Sequence, residues 1–328
     1  MYKFIVIGEA LVDTHVLIDD ASLECNIDGK NCKLCLDFAS KIPITGSFQA
    51  IGGNGANVAA GIAKLGLKTG LIAAFGKDAN GQIILSELEK NKVNTDYLFI
   101  DPKTISRYSI VLNYHGERTI LSYHHEMKYV WPEQMPAVDW IYYTGLSEGF
   151  EPLQKKLLAF LDKHPSVRLA INPGTLQMKY YPKTVDDVLV RSDILIVNLE
   201  EAEEIAGSTI KKEKTVEALI HKLLSKGVKE VAITDAANGA WAGDAEEIWQ
   251  LKAFPVKVSG KTGAGDAFSS GYMAARCLDH DIHTALRWGI ANSCGVIGNL
   301  GAQVGLLDQK GIEEIIKKYS SIKPKQIL

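Results

Sequence analysis

Hydrophobic and polar positions follow two rhythms along this chain. Continuous apolar runs at residues 4–7, 70–74, 140–143, 169–171, 194–197 and 230–234 have the length of strands buried on both faces. Between them, residues 83–91, 153–162, 200–206 and 216–225 repeat their apolar positions with helical spacing. Strands alternating with helices predict an α/β fold of three layers, α/β/α, with a mostly parallel central sheet. Such sheets bind ligands at the carboxyl ends of their strands. Runs at 248–251 and 254–258 predict two further strands, and residues 264–277, 282–299 and 309–318 predict three closing helices.

Two segments break the rhythm. Residues 14–51 separate the first strand from the first helix, far more than the roughly 2–6 residues of an ordinary connection. Their apolar positions alternate (Leu34, Leu36, Phe38, then Ile42, Ile44, Phe48), with Pro43 and Gly46 among them. Residues 106–112 and 119–123 flank His115-Gly116-Glu117-Arg118, which is a hairpin signature. Together they predict a small β lid, segments about 14–51 and 104–124, inserted in a single domain spanning residues 1–328. The lid is either a surface elaboration or a cover that keeps water out of a site at the strand ends.

Composition narrows the classes. Apolar residues make up 46% of 328, enough for a large core, and 36 basic against 39 acidic residues leave a net charge of −3. That balance lacks the basic footprint of a nucleic-acid binder. The first apolar run is too short to span a membrane and lacks the layout of a signal peptide, so a soluble cytoplasmic protein is expected. Five cysteines, an odd count, fit a reducing compartment. Cys25, Cys32 and Cys35 have a spacing that invites a zinc reading, but a fourth ligand is missing nearby. His124 and His125 could supply one only through folding; otherwise the three are free thiols or packing residues. Cys277 and Cys294 fall in helical patterns and are expected in the core.

The candidate chemistry centres on Lys261-Thr262-Gly263-Ala264-Gly265-Asp266. Backbone N–H groups at a helix start form an anion site, and glycines at 263 and 265 let a phosphate approach them. An ionised Asp266 would repel that phosphate unless it takes a proton from an attacking hydroxyl. The combination suggests phosphoryl transfer, against the alternative of an ordinary turn with an acidic first helical turn. A Walker A loop ending at Lys261-Thr262 would need glycine at Pro255, and a dinucleotide fingerprint from Gly263 would need glycine at Phe268. Upstream, Gly52-Gly53-Asn54-Gly55-Ala56-Asn57 opens an alanine-rich helix whose amides suit polyol hydroxyls, or simply cap it. Asp13 follows the first strand, where it could accept hydrogens from two hydroxyls. Asn198 and Glu201 start a helix after the 194–197 strand. They could hold a phosphate and, through water, a Mg²⁺ ion, or form a plain capping box.

The Gly52-Gly53-x-x-x-Asn57 helix start, the Asn198-x-x-Glu201 element and the Thr262-Gly263-Ala264-Gly265-Asp266 turn, in this order, resemble the ribokinase-like (PfkB) carbohydrate kinases along essentially the whole chain. The resemblance implies Asp266 as the base and the backbone of Gly263, Ala264 and Gly265 as the anion hole. It implies Asp13, Gly53, Asn54 and Asn57 on the sugar, and Asn198 and Glu201 on the phosphate and Mg²⁺ side. Thr234 and Gly239 would border the nucleotide and Asn292 would approach the adenine. ATP would be the phosphate donor, and the lid can also form a homodimer interface in this family. A nucleoside acceptor is the runner-up, with residues 106–108 and 123–125 stacking on a base or meeting an acidic sugar. A silent binding relative is the reading from another class.

The chain departs from the family pattern at two places. The acidic residue that usually precedes the glycine turn and helps ligate a monovalent cation is missing; Gly260-Lys261 stands there, and the later cation loop (residues 298–303) looks shorter. Lys261 is expected either to replace part of the cation's field, making activity potassium-independent, or to face solvent. The loop Asp235-Ala236-Ala237-Asn238-Gly239 carries alanine where the family often has glycine, and Asp235 could bond a ribose or cap the turn.

Overall fold

The computed structural model describes residues 1–26, 32–123 and 125–328. Strands β1 (Tyr2–Ile7), β2 (Leu11–Leu17), β3 (Ser22–Cys25), β4 (Cys32–Cys35) and β5 (Gly46–Gly52) precede helix α1 (Asn54–Lys64). Then come β6 (Thr69–Ile72), β7 (Ala74–Gly76), α2 (Ala79–Lys90), β8 (Phe99–Asp101) and the hairpin β9 (Tyr108–Tyr114) and β10 (Glu117–Tyr123). The next alternation runs β11 (Val138–Thr144), α3 (Glu151–Lys163), β12 (Arg168–Asn172), α4 (Thr175–Tyr180), α5 (Pro182–Leu189) and β13 (Ile194–Asn198). It continues through α6 (Leu199–Ala206), α7 (Ile210–Glu213), α8 (Val216–Leu224), β14 (Glu230–Thr234), β15 (Ala240–Gly243) and β16 (Ile248–Leu251). Helices α9 (Ala264–Cys277), α10 (Ile282–Ile297) and α11 (Gln309–Lys318) close the chain with a short β17 (Lys325–Gln326).

The central sheet has the order β17-β16-β15-β14-β13-β12-β11-β1-β6. From β6 to β14 every neighbour pair is parallel; β15, β16 and β17 add an antiparallel edge. Alternate residues of each parallel strand enter two separate cores. Phe4, Val6, Trp140, Tyr142, Ile194 and Ile196 pack with α1, α9 and α10, whereas Ile5, Ile7, Ile141, Leu195 and Val197 pack with α3, α6 and α8. Burial on both faces is why these strands read as unbroken apolar runs. The result is the ribokinase-like α/β/α arrangement with its strand C-termini, and hence any ligand, along one edge.

The lid is a second sheet, β10-β9-β2-β5, with the β3–β4 ribbon beside it. Its two entry points are pinned together. Glu9 just before β2 and Arg107 just before β9 form a recessed ion pair, and Arg107 Nη1 also donates to Ser147 Oγ at 2.9 Å. Tyr129 completes the cluster at 2.7 Å from Ser147 Oγ.

Several expectations are corrected. Residues 254–258 form no strand: Pro255 cannot donate to a ladder. Phe254 instead stacks on Tyr319, whose hydroxyl donates to Pro255 O at 2.7 Å. Asp13, expected between the first strand and the lid, lies inside lid strand β2. Cys25 and Cys32 face each other in the β3–β4 register and are joined as a disulfide, so they are neither free thiols nor zinc ligands. Among the described residues no group of three or more His, Cys, Asp or Glu could hold a metal; His124 lies outside them. Cys277 and Cys294 are buried as expected. No helix among the described residues is long and apolar enough to cross a membrane.

Candidate active site

Asp266 occupies the third position of α9, directly behind the Gly263-Ala264-Gly265 turn. Gly263 caps the helix with φ 77°, and a Cβ there would fall 2.6 Å from Ala302, so only glycine fits. Ala267 N–H makes the first regular helical bond, to Gly263 O at 2.8 Å. The preceding N–H groups of Gly265 and Asp266 have no intrahelical acceptor. Nothing lies within 4 Å of where a Gly265 Cβ would sit, which leaves this backbone open to an anion. Ser293 Oγ supports the turn from α10 by donating to Ala264 O at 2.7 Å.

The helix start at residues 52–57 comes to the same place. Gly53 caps α1 with φ 90°. Asn57, one turn in, donates from Nδ2 to Asp266 Oδ2 at 2.8 Å, across 209 residues of sequence. Asn57 is itself oriented: Gln303 Nε2 donates to its Oδ1 at 3.0 Å, and Asn91 Nδ2 donates to Gln303 Oε1 at 3.0 Å. Each amide in this relay fixes the direction of the next, so an N–H must face Asp266. Asn54 is exposed at the first position of α1, its amide reaching toward Gly145 beyond β11. Asp13 is buried on the lid, seated over Gly52, where any Cβ would fall 2.4 Å from its Oδ2. Burial pushes the Asp13 carboxyl up, while Ser109 and Arg118 oppose the shift.

Asp266 is pushed up to about 7, chiefly by burial, with the Glu201 and Asp13 carboxylates adding repulsion and the Asn57 amide opposing it. Glu201 is also held above its ordinary value by burial. The Asn198–Glu201 pair does form the capping box of α6, through Glu201 N–H to Asn198 Oδ1 at 2.9 Å and Asn198 N–H to Glu201 Oε2 at 3.0 Å. Capping uses one carboxylate oxygen and leaves the other. Asn198 and Thr234 are register partners at the ends of β13 and β14, and Thr144 and Asn172 are partners at the ends of β11 and β12. They form a polar row along the carboxyl edge of the sheet.

The geometry gives six of the expected residues other partners or packing roles. Asn292 is fully buried between α9 and α10, donating to Ala267 O and Ser270 Oγ and accepting from Leu307 N–H, so it presents nothing to an adenine. Gly239 answers a packing need: at φ 97° its Cβ would lie 2.0 Å from Leu251 O. Asp235 takes the local alternative, its carboxylate accepting from the Asn238 side-chain amide at 2.9 Å within its own turn. The Lys261 ammonium pairs with Glu117 of the lid at 2.7 Å, so it is engaged across the cleft rather than with a cation loop. Arg107 is committed to Glu9, and His125 to the carbonyls of Ile105 and Glu126.

Sequence reasoning missed Asn172 and Gln303. Asn172 carries the same signal as Asn198, a polar residue ending an apolar strand. Gln303 lies in a loop noted only for its length, and nothing local marks it.

Comparison with known proteins agrees with this geometry. The model of the pfkB family carbohydrate kinases matches residues 24–309. The chain is 27% identical over 265 residues to a ribokinase of Haemophilus influenzae, covering 77% of this chain and 83% of that protein. It is 26% identical over 297 residues to a 5-dehydro-2-deoxygluconokinase of Bacillus subtilis, covering 82% and 87%. A solved structure of a putative ribokinase II from E. coli, in complex with ATP and Mg²⁺, superposes with a TM-score of 0.78 at 21% identity, covering 97% of this chain and all of that one. That last likeness concerns the fold. With a family model spanning most of its length and the motif residues gathered at one edge of the sheet, the chain belongs to the pfkB family and is a carbohydrate kinase.

Proposed function

We propose that this chain transfers the γ-phosphoryl group of ATP to a hydroxyl, in the simplest case a hydroxymethyl group, of a small sugar. The observation that carries the reading is the 2.8 Å contact between Asn57 and Asp266, which joins a polyol-binding helix start to a base beside an open anion site. Asp266 takes the proton of the acceptor hydroxyl as its oxygen bonds to the γ-phosphorus and the bond to the β-phosphate oxygen breaks, releasing ADP. The N–H groups of the Gly263–Gly265 turn face the charge that develops on the transferred group. Asp13, Gly53, Asn54 and Asn57 hold the sugar. Asn198 and Thr234 border the donor's phosphates.

Mg²⁺ fits the residues present: the spare Glu201 oxygen and the Asn172 carbonyl are hard donors of the kind a hydrated Mg²⁺ takes. An ion held there would offset the charge of the donor's phosphates. Lys261 gives no ground for a substituted monovalent cation.

The lid favours a sugar over a nucleoside. Its register puts Ala50, Asp13, Ser109 and Ser122 in one row on the face toward Asp266, all suited to hydroxyls or to bare contact. Tyr108 and Tyr123 share a row of the other face and stack on each other, so they offer no platform to a base. The whole chain would act as one cytoplasmic kinase unit, with the lid as cover and dimer contact.

Asp266→Asn tests the mechanism. Turnover should fall on the order of 10²–10⁴-fold with the acceptor's dissociation constant nearly unchanged. Unaltered turnover in a correctly folded variant removes Asp266 from the chemistry.

A further inference from the structure

Next to the proposed sugar site, a cavity of about 230 Å³ opens between the lid and the segment leading into the glycine turn. Its walls include His15, Asn113 and Arg118 from the lid and Lys261 and Thr262 from the body, with Asp19 as its lining carboxylate. Strand register explains how these residues meet. Beyond the Asp13–Ser109–Ser122 row, the same face carries His15 beside Val111 and Ile120, and then Leu17 beside Asn113 and Arg118. The face therefore runs from hydroxyl partners near Asp266, through an apolar band, to a cationic end.

Three features of that end bear on what it can hold. Arg118 makes no hydrogen bond or ion pair among the described residues, although five carboxylate-seeking donors are available on it. His15 is 1% exposed, stacked on Phe48, and neither ring nitrogen makes a hydrogen bond of normal geometry, Asn113 being its polar neighbour. Burial holds His15 below the usual imidazole range, so it is a neutral donor and acceptor rather than a third charge. Lys261 is paired, but with an exposed Glu117 that an incoming anion can displace.

We propose that the acceptor sugar carries an anionic group, a carboxylate or a phosphate, at the end remote from the hydroxyl that is phosphorylated, and that Arg118 assisted by Lys261 holds it. The inference rests on the kinase reading of the neighbouring site and adds the substrate class. A planar guanidinium suits both anions, forming paired bonds to their oxygens. Ile120, the exposed member of the band between the two ends, would lie against the carbon skeleton. Asp19 offsets one of the two cations, which leaves the cavity net positive before Glu117 is counted.

The test compares matched acceptors with ATP and Mg²⁺: a neutral hexose, the corresponding sugar acid, and the corresponding sugar monophosphate. One anionic form should exceed the neutral sugar in kcat/KM by about 10- to 100-fold, mostly through KM, as expected for losing or gaining a charged hydrogen-bonded pair. Which of the two is preferred distinguishes carboxylate from phosphate. Arg118→Ala should collapse that preference by a similar factor, Arg118→Lys should restore part of it, and rising salt should erode it in the parent protein. Equal use of neutral and anionic sugars, or a preference that survives Arg118→Ala, overturns the proposal while leaving the kinase intact. If no acceptor yields ADP, the kinase reading itself fails. Calorimetric binding of the same three compounds then decides this site alone: anion binding that depends on Arg118 supports it, and its absence overturns it.

Discussion

In the proposed mechanism Asp266 acts only as the carboxylate, and its environment sets when it loses its proton. Burial and two neighbouring carboxylates hold it at about 7, above the ordinary carboxylate range, while one amide N–H pulls the other way. Activity measured as kcat/KM should therefore rise with pH through a limb near 7 and be lost below it. The amide that opposes the shift belongs to Asn57, and Gln303 fixes which end of that amide faces Asp266. Replacing Gln303 by alanine frees Asn57 to turn its carbonyl toward the carboxylate. The limb should then move to higher pH, and kcat at neutral pH should drop by about 10-fold, the scale of losing one oriented hydrogen bond to a charge. A pH–rate profile separates this from mere loosening, which lowers the plateau without moving the limb. The placement of Asp266 at a helix start behind a glycine turn was legible in the sequence, because those residues are local to one another. Gln303 was not, since its role exists only once a loop some 246 residues away folds against α1.

Among the elements, strands and helices of the body were readable and the attachment of the lid was not. Periodicity located the parallel strands because each feeds two cores, and the hairpin at 108–123 declared itself by alternation and a glycine turn. The segment at 254–258 misled because an apolar run with proline suits packing under a helix as well as a strand. Pattern alone also offered the 106–108 segment as a ligand contact, where the fold instead buries Arg107 against Glu9 at the root of the lid. That pair has a stability consequence. Arg107→Met leaves the Glu9 carboxyl recessed without its cation. It should cost about 3 kcal/mol, the low end for breaking a buried pair because Glu9 keeps some exposure. Urea unfolding measures the loss, and adding Glu9→Gln should recover part of it. If Arg107→Met is as stable as the parent, the pair does not anchor the lid.

On the scale of the whole molecule, the lid has two faces with different work. The face bearing Asp13, His15 and Arg118 looks onto the segment that leads into the glycine turn. The opposite face, by the same register, sets Leu121 beside Ile110 and Thr14, and Leu112 beside Val16. Near the hinge this face is covered, for Val12 and Ile51 enter the core that α2 shares. Farther out the cover ends: Leu121 is 53% exposed, and every residue of the edge strand β10 is exposed. An edge strand with apolar neighbours and unpaired backbone groups is a liability unless something covers it. A second copy of the lid would meet that need by a symmetric contact, each apolar row lying on its twin. Light scattering should then report a dimer, and Leu121→Arg should shift it to monomer by placing a charge at the centre of the contact. The cost should reach the site as well, because Arg118 and Glu117 sit on the same strand and position the cleft. The monomeric variant is expected to show a raised acceptor KM with kcat less affected. A parent protein that is monomeric at micromolar concentration removes the idea. A dimer untouched by Leu121→Arg moves the contact elsewhere and frees the lid to open alone.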